Sequence, residues 1–477
     1  MRLFLYWAVI YITLPLTVAR PIVGLFVYTF VNLFRPEMLF WGKQHMGGRS
    51  LFMLFLAILL GMVVNAKLDF RALSQWSLLL TLGIWAVVVF TIFAGSYQDP
   101  GLLQWTYSTE ILKIFLLCYV MIVVLHTPKL LFRYIELNIV ATALLALWGV
   151  DQYFRGNERL EGLGGEAIGD SNYAAAYFVL FLPLILSKAL DRKVFRKKLF
   201  YLGCTGFTFI VILCTQSRGG LVGGIIALGL FFLTTKHRRS LAIYGSIMLV
   251  IASPILAEGV LDRLQETAQV EEVEELDASA QSRLVMWRAA WYCFQDNPIF
   301  GVGYKCFPRY KRRCVDRVVA DFAGTVEPEK VEWMMMHPKV THSLFYQILS
   351  EGGLLLLLPV LLLYLGSLYS NWKCARRHRH RTDELGQELV ARLNGVNAGL
   401  AGWLVCMIFL DGLVGFFSYI VVTLGTIIRL QLNDSAAVLA ELNEGSETEG
   451  AGPTERRRRL AVASLAQGRE PGGLPAR

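Results

Sequence analysis

The sequence predicts an all-α polytopic membrane protein with about twelve transmembrane helices, and three observations carry that reading. Of 477 residues, 55% are apolar and only 17% are charged, where an ordinary soluble domain is about a quarter charged. Apolar runs recur from end to end, raising the mean hydropathy to +0.49, and a run of about 18 apolar residues reads as a membrane span. The net charge of +9 sits in short basic clusters between those runs, as the positive-inside rule requires of cytoplasmic loops. A soluble enzyme, a fibrous protein and a disordered regulator are excluded. Nucleic-acid binding is set aside as well, because the basic clusters have no folded domain to carry them.

In chain order, the apolar segments lie near residues 2–18, 22–34, 51–66, 73–95, 111–126 and 134–150, then 172–190, 199–214, 219–234 and 240–257, and finally 343–369, 396–414 and 416–432. The first two are short and form a broken pair or one irregular unit, giving about twelve spans. Residues 1–20 start like a signal peptide but lack a small-residue cleavage site, so they are read as retained. Pro183, Pro254 and Pro359 fall within or near span ends, where proline bends a helix and neighbours re-satisfy the freed carbonyls.

The basic clusters fix an orientation. With Arg192 to Lys198 in the cytoplasm, alternation also puts Lys236 to Arg239, Lys373 to Arg381, Lys129 with Arg133, Lys67 with Arg71, and Arg456 to Arg459 inside. Only Arg35, Lys43 and Arg49 dissent. The chain then divides into an N-terminal transmembrane bundle (1–257), a large outward loop (258–342), C-terminal transmembrane helices (343–432) and a disordered cytoplasmic tail (433–477). The outward loop opens with an acidic run, Glu271 to Asp277, and Ala278 to Phe294 carries apolar residues at helical spacing. Eight cysteines lack CxxC spacing. Three of them, Cys293, Cys306 and Cys314, share the outward loop, where two can pair in an oxidising compartment.

Ionisable groups at the membrane are costly and mark function by default, and here they gather on the outward side. Asp170 and Asn172 open one span, Asp411 lies near the end of another, Arg283 and Arg288 lie on the loop helix, and His342 sits where the loop re-enters the membrane. Arg218, in Gln216-Ser217-Arg218-Gly219-Gly220, joins a permanent charge to glycine-freed backbone N–H groups at a helix start, a recipe for binding an anion such as phosphate. The alternative is a snorkelling arginine with glycines that serve helix packing. Arg159, beside Arg155 in a glycine-rich outer loop, is a weaker candidate of the same kind, and His337 is the second histidine near the re-entry point. Thr341 is expected to cap the following helix, placing His342 in its first turn as a neutral general base. The competing role for His342 is an interfacial hydrogen bond. Metal-binding motifs, a P-loop and a nucleophile elbow are missing from the sequence, so neither a metal nor another cofactor is expected.

Three segments resemble the O-antigen ligase superfamily of bacterial inner-membrane glycosyltransferases. They are Thr215 to Gly220, the stretch from Ser279 through Arg283, Trp287 and Arg288 to Gly303-Tyr304, and Thr341-His342-Ser343 through Glu351-Gly352-Gly353-Leu354. Asp170-Ser171-Asn172, Arg35-Pro36 and Trp41-Gly42 resemble the branch described as exosortase-associated O-glycosylation ligases. The resemblance implies a GT-C-like helical fold with one large periplasmic loop. It also implies transfer of a glycan from undecaprenyl diphosphate to an acceptor hydroxyl, lipid A core oligosaccharide first among acceptors, without metal and with inversion. Arg218 and Arg288 match family arginines assigned to the lipid diphosphate, and His342 matches the loop histidine assigned as base. Arg283, Arg159, Asp170, Asn172, His337 and Asp411 would line the substrate site. Where the family often has His-Asn, this chain has His342-Ser343. A polysaccharide polymerase and a protein O-oligosaccharyltransferase share this architecture. A lipid-linked glycan flippase, from another class, would carry charges in mid-span, and Lys113 is the main such residue here.

Overall fold

A computed structural model describes residues 2–35, 47–97, 102–157, 159–164, 168–191, 194–255 and 278–447. The Trp41-Gly42 motif, Pro36, the acidic run Glu271 to Asp277 and the basic run Arg456 to Arg459 lie outside the described residues. The described chain is built of α-helices. They are α1 (Arg2–Ala19), α2 (Pro21–Phe34), α3 (Gly47–Val64), α4 (Trp76–Ala94), α5 (Leu102–Val124), α6 (Pro128–Phe154), α7 (Ser171–Leu190), α8 (Phe195–Cys214), α9 (Arg218–Thr234) and α10 (Arg238–Ile255). After them come α11 (Ala278–Asp296), the short α12 (Val315–Asp321) and α13 (Pro328–Met336), then α14 (Leu344–Arg377), α15 (Glu384–Cys406) and α16 (Phe416–Glu447).

The chain is an all-α polytopic membrane protein. Eight described helices are long and apolar enough to cross a bilayer, namely α4 to α8 and α14 to α16, and four shorter apolar helices lie in α1, α2, α3 and α9. The expectation of a tail beginning after Leu432 needs correction, because α16 continues as helix to Glu447.

The helices surround α7, which is buried from Ala174 to Leu190. Its closest partner is α15, where a Cβ on Gly399 would come within 2.0 Å of the Leu180 carbonyl oxygen. Small residues let two backbones meet at that distance, the usual way spanning helices associate in the absence of a hydrophobic drive between them. At one end of the bundle α7 finishes in an ion network. Fully buried Arg392 bonds Asp191 at 3.1 Å and Glu388 at 3.0 Å, and Lys188 lies 3.5 Å from Glu388. The basic clusters of residues 236–239 and 373–381 flank this end, here termed the basic end.

At the other end, residues 278–342 fold as a helical cap with an apolar core of its own, including Val285, Met286, Phe307, Val318 and Met335. Cap and bundle join through main chain. α14 is interrupted at Gly353, whose φ of 58° and ψ of −156° belong to glycine alone. Segment 298–303 lies against that break. Val302 and Gly303 N–H donate to Ser350 and Glu351 carbonyls at 2.9 and 3.0 Å, while Leu354 and Leu355 N–H donate to Pro298 and Ile299 carbonyls at 2.9 and 3.1 Å. The break falls at Gly353, with Pro359 a turn and a half further on.

Of the three cap cysteines, Cys293 and Cys314 face each other. Their thiols hydrogen-bond, which with Arg317 holds the Cys314 thiol down and pushes the Cys293 thiol up. Cys306 instead meets Gln104 Nε2 at 2.9 Å. Two predictions follow from this architecture. Gly353→Ala forces a side chain within 2.5 Å of the Ile299 carbonyl oxygen and should destabilise the protein by about 3 kcal/mol. Thermal unfolding in detergent reads this directly, with Gly229→Ala, which meets open space, unchanged. Mild oxidation should cross-link Cys293 to Cys314 and leave Cys306 as a thiol, as mapped by peptide mass spectrometry.

Candidate active site

Four segments meet where the cap touches the bundle. The first is the start of α7. Asp170 is its N-cap, accepting from Asn172 N–H at 2.8 Å and Tyr173 N–H at 3.4 Å. Second comes the start of α9, where Ser217 is the N-cap and Arg218 the first helical residue, as the Ser-Arg-Gly-Gly pattern predicts. Ser217 Oγ accepts from Gly220 N–H at 3.1 Å and donates to Asn172 Oδ1 at 2.8 Å, which ties the two helix starts together. Gln216, just before, has a φ of +52°.

The third segment is the turn from α15 to α16. Tyr173 hydroxyl donates to Asp411 Oδ1 at 3.0 Å and also contacts the Asp411 carbonyl. In the same turn, Phe409 packs against the face of α9 at Gly219. The fourth segment is the re-entry loop. Trp287 of α11 lies 6.2 Å from Phe409 ring to ring, stacks on Tyr346, and donates its indole N–H to the Thr341 carbonyl at 3.0 Å. Leu344 N–H donates to the Met407 carbonyl at 3.0 Å. Arg218, Trp287, Asp411 and His342 are thereby held on one continuous surface.

His342 has a φ of +48°, a left-handed backbone that costs a non-glycine residue of order 1 kcal/mol or more and clusters at functional sites. The capping expectation is corrected. Ser343, not Thr341, is the N-cap of α14, and it makes no side-chain cap bond. Thr341 Oγ1 donates to the Ser343 carbonyl at 3.0 Å instead. His342 stands ahead of the helix and is exposed to solvent. Desolvation pushes its imidazole below the ordinary histidine range, Asp411 and Asp170 pull it upward, and Arg283 and Lys339 push it down.

The arginines of the loop helix part company. Arg283 is half-buried beside His342 and is electrostatically coupled to it. Arg288, five residues on and about 140° around the helix, is exposed, forms an ion pair with Asp321 and lies 4.9 Å over the Tyr292 ring. His337 closes α13, where Nδ1 meets the Trp333 carbonyl at 2.7 Å and the ring stacks on Trp333. Arg159 is exposed on the loop between α6 and α7.

Sequence reasoning missed a polar group buried behind the site. Glu351 is 3% exposed, accepts from Gln347 Nε2 at 3.2 Å, and faces the Lys305 main-chain N–H and ammonium. Tyr304 Oη and Gln347 Oε1 are buried without a protein partner among the described residues. Glu351 and Tyr304 stood inside quoted motifs, and their isolation in apolar sequence was the available signal. Lys113 forms an ion pair with Glu110 at 2.6 Å on its own helix.

From the site, an apolar groove of about 580 Å³ runs between α7, α8, α9 and α10. It reaches Leu221, one turn below Arg218, and extends to Leu241 and Tyr244 near the basic end. Among the described residues no group of three His, Cys, Asp or Glu side chains could hold a metal ion.

Residues 204–361, running from α8 through the cap into α14, match the family model described as O-Antigen ligase. That match supports the O-antigen ligase superfamily, whose members are glycosyltransferase-like ligases and polymerases. No curated protein matches the chain.

The charges around His342 generate a direct test. In NMR of histidine-labelled protein, the His342 resonance, identified by its loss in His342→Gln, should titrate below about 6.5. Asp411→Asn should lower that midpoint further, and Arg283→Gln should raise it.

Proposed function

We propose that this protein transfers a glycan from undecaprenyl diphosphate to an acceptor hydroxyl, with lipid A core oligosaccharide as the favoured acceptor. The reaction takes place at the periplasmic face of the bacterial inner membrane. One observation carries the reading: His342, coupled to Arg283, and Arg218 at the start of α9 lie where the cap meets the bundle, and an apolar groove reaches Leu221, one turn from Arg218. A glycosyl diphosphate on a polyprenyl chain has that bipartite chemistry. The groove between α7 and α10 holds the chain, and the arginines hold the diphosphate.

The donor is already activated, so no nucleotide is consumed. His342 takes the proton of the acceptor hydroxyl as its oxygen attacks the anomeric carbon. The bond from that carbon to the diphosphate oxygen breaks, and the electron pair leaves with undecaprenyl diphosphate. Arg218 and Arg283 stabilise the growing charge, the part a divalent metal takes elsewhere. A single displacement inverts the anomeric centre. Asp170 and Asp411 hold the helix starts in register and temper the imidazole. Arg288 stabilises the cap through Asp321, which revises its resemblance-based role.

The test uses purified protein, undecaprenyl-diphosphate-linked glycan, and core-oligosaccharide, protein and glycan acceptors, all in EDTA. Release of undecaprenyl diphosphate should require an acceptor. His342→Gln should lose about 10²- to 10⁴-fold in kcat, and Arg218→Gln and Arg283→Gln should lose about 10²-fold or more. Arg288→Gln should stay within a few-fold of wild type. In wild type the rate should fall with acidification, because protonated His342 cannot accept a proton. Full turnover by His342→Gln, or release only with added metal, would overturn the mechanism.

A further inference from the structure

The basic end holds a second built cavity, on the opposite side of the molecule from His342. It is a cleft of about 830 Å³ between the end of α9, the start of α10 and the end of α14, with α15 beneath. Lys236 and Arg238 line one wall, and Arg376 and Arg379 the other. Two other charges in the lining are already engaged. Arg381 is held by both oxygens of Asp383 at 2.7 and 2.8 Å, and Asp191 by Arg392 at 3.1 Å and His237 at 3.5 Å. Lys236, Arg238, Arg376 and Arg379 form no ion pair among the described residues; Arg238 Nη2 donates to the Leu233 carbonyl at 2.6 Å and Arg379 Nε to His380 Nε2 at 2.7 Å, and each guanidinium keeps further N–H donors.

Basic residues at span ends are expected from topology alone, but topology asks for neither a cavity nor convergence. Here four cations from two elements distant in sequence face one space. That space is also amphipathic, with Phe231, Leu233, Trp372 and Val390 in its walls. Leu233 and Trp372 are 61% and 45% exposed at the ends of their helices, where apolar surface meets a bilayer. The Arg376 guanidinium lies 5.3 Å over the Trp372 ring, which leaves its edge donors directed away from the ring. Charge without apolar walls would suit a soluble anion. Charge above apolar walls at a membrane boundary suits a phosphate with acyl chains attached.

We propose that this cleft is a binding site for the phosphate headgroup of an anionic phospholipid, held by Lys236, Arg238, Arg376 and Arg379 with an acyl chain along Leu233 and Trp372. The site is separate from the transfer chemistry and does not depend on it. Its effect is to anchor α9, α10 and α14 at a fixed depth.

The test measures phosphatidylglycerol and phosphatidylcholine binding to the full chain by native mass spectrometry from detergent. Phosphatidylglycerol should bind at least tenfold more tightly. Arg376→Gln/Arg379→Gln should weaken it about tenfold, and Lys236→Gln/Arg238→Gln, from the opposite wall, should do the same if the first pair folds poorly. Arg196→Gln/Lys197→Gln removes equal charge from exposed positions at the same end and should change nothing. Equal loss in that control, or equal binding of the two lipids, would overturn the site. Displacement of phosphatidylglycerol by equimolar inorganic pyrophosphate would overturn the lipid as occupant in favour of a soluble phosphate.

Discussion

The cap end depends on the exchange of main-chain hydrogen bonds between residues 298–303 and 350–355. A helix broken inside an apolar environment strands carbonyls and N–H groups, each of which costs several kcal/mol if left unpaired. The break at Gly353 is therefore sustainable only with the cap segment against it, and the cap segment finds its own partners only at the break. Each requires the other. The exchange also fixes what lies on either side. Tyr304 and Glu351 are turned into the same buried space, and the first turn of α14 is set at the height where His342 meets Asp411 and Arg283.

Around His342 the charges nearly balance, with Asp170 and Asp411 against Arg283 and Lys339. Desolvation then decides the direction and holds the imidazole below the ordinary histidine range. Under the proposed reading, an arriving diphosphate adds negative charge close to the ring. That charge favours the protonated form, so the histidine becomes a stronger base once the donor is in place. Base strength at the moment of transfer thus differs from base strength at rest.

Much of this was legible from the sequence, and the misses share a cause. Asp170, Asn172 and Arg218 read as polar groups opening spans, a local signal, and all three stand at helix starts. The alternation of basic loops placed the same residues on one side, and the structure gathers them at one end. Arg283 and Arg288 were indistinguishable by type and both suited to phosphate. What separates them is Asp321, 33 residues away. The capping role given to Thr341 failed because Ser343 competes for the same position two residues on. The pairing of Cys293 with Cys314 depends on the fold of the cap. Glu351 and Tyr304 were quoted as motif members and passed over, since their burial depends on the cap segment folding against α14.

The two ends of the molecule are not independent, because α7 runs between them. Asp170 caps its start beside the site, and Lys188 and Asp191 finish it in the ion network with Glu388 and Arg392. A buried ion network contributes little net stability, since desolvation offsets most of the Coulomb gain, but removing one partner is costly. What such a network supplies is position. α7 cannot slide along its axis without stranding Lys188 or the fully buried Arg392, and it cannot separate from α15 without opening the contact at Gly399. The Asn172–Ser217 hydrogen bond, which sets Arg218 relative to His342, is therefore referenced to charges at the far end of the same helix.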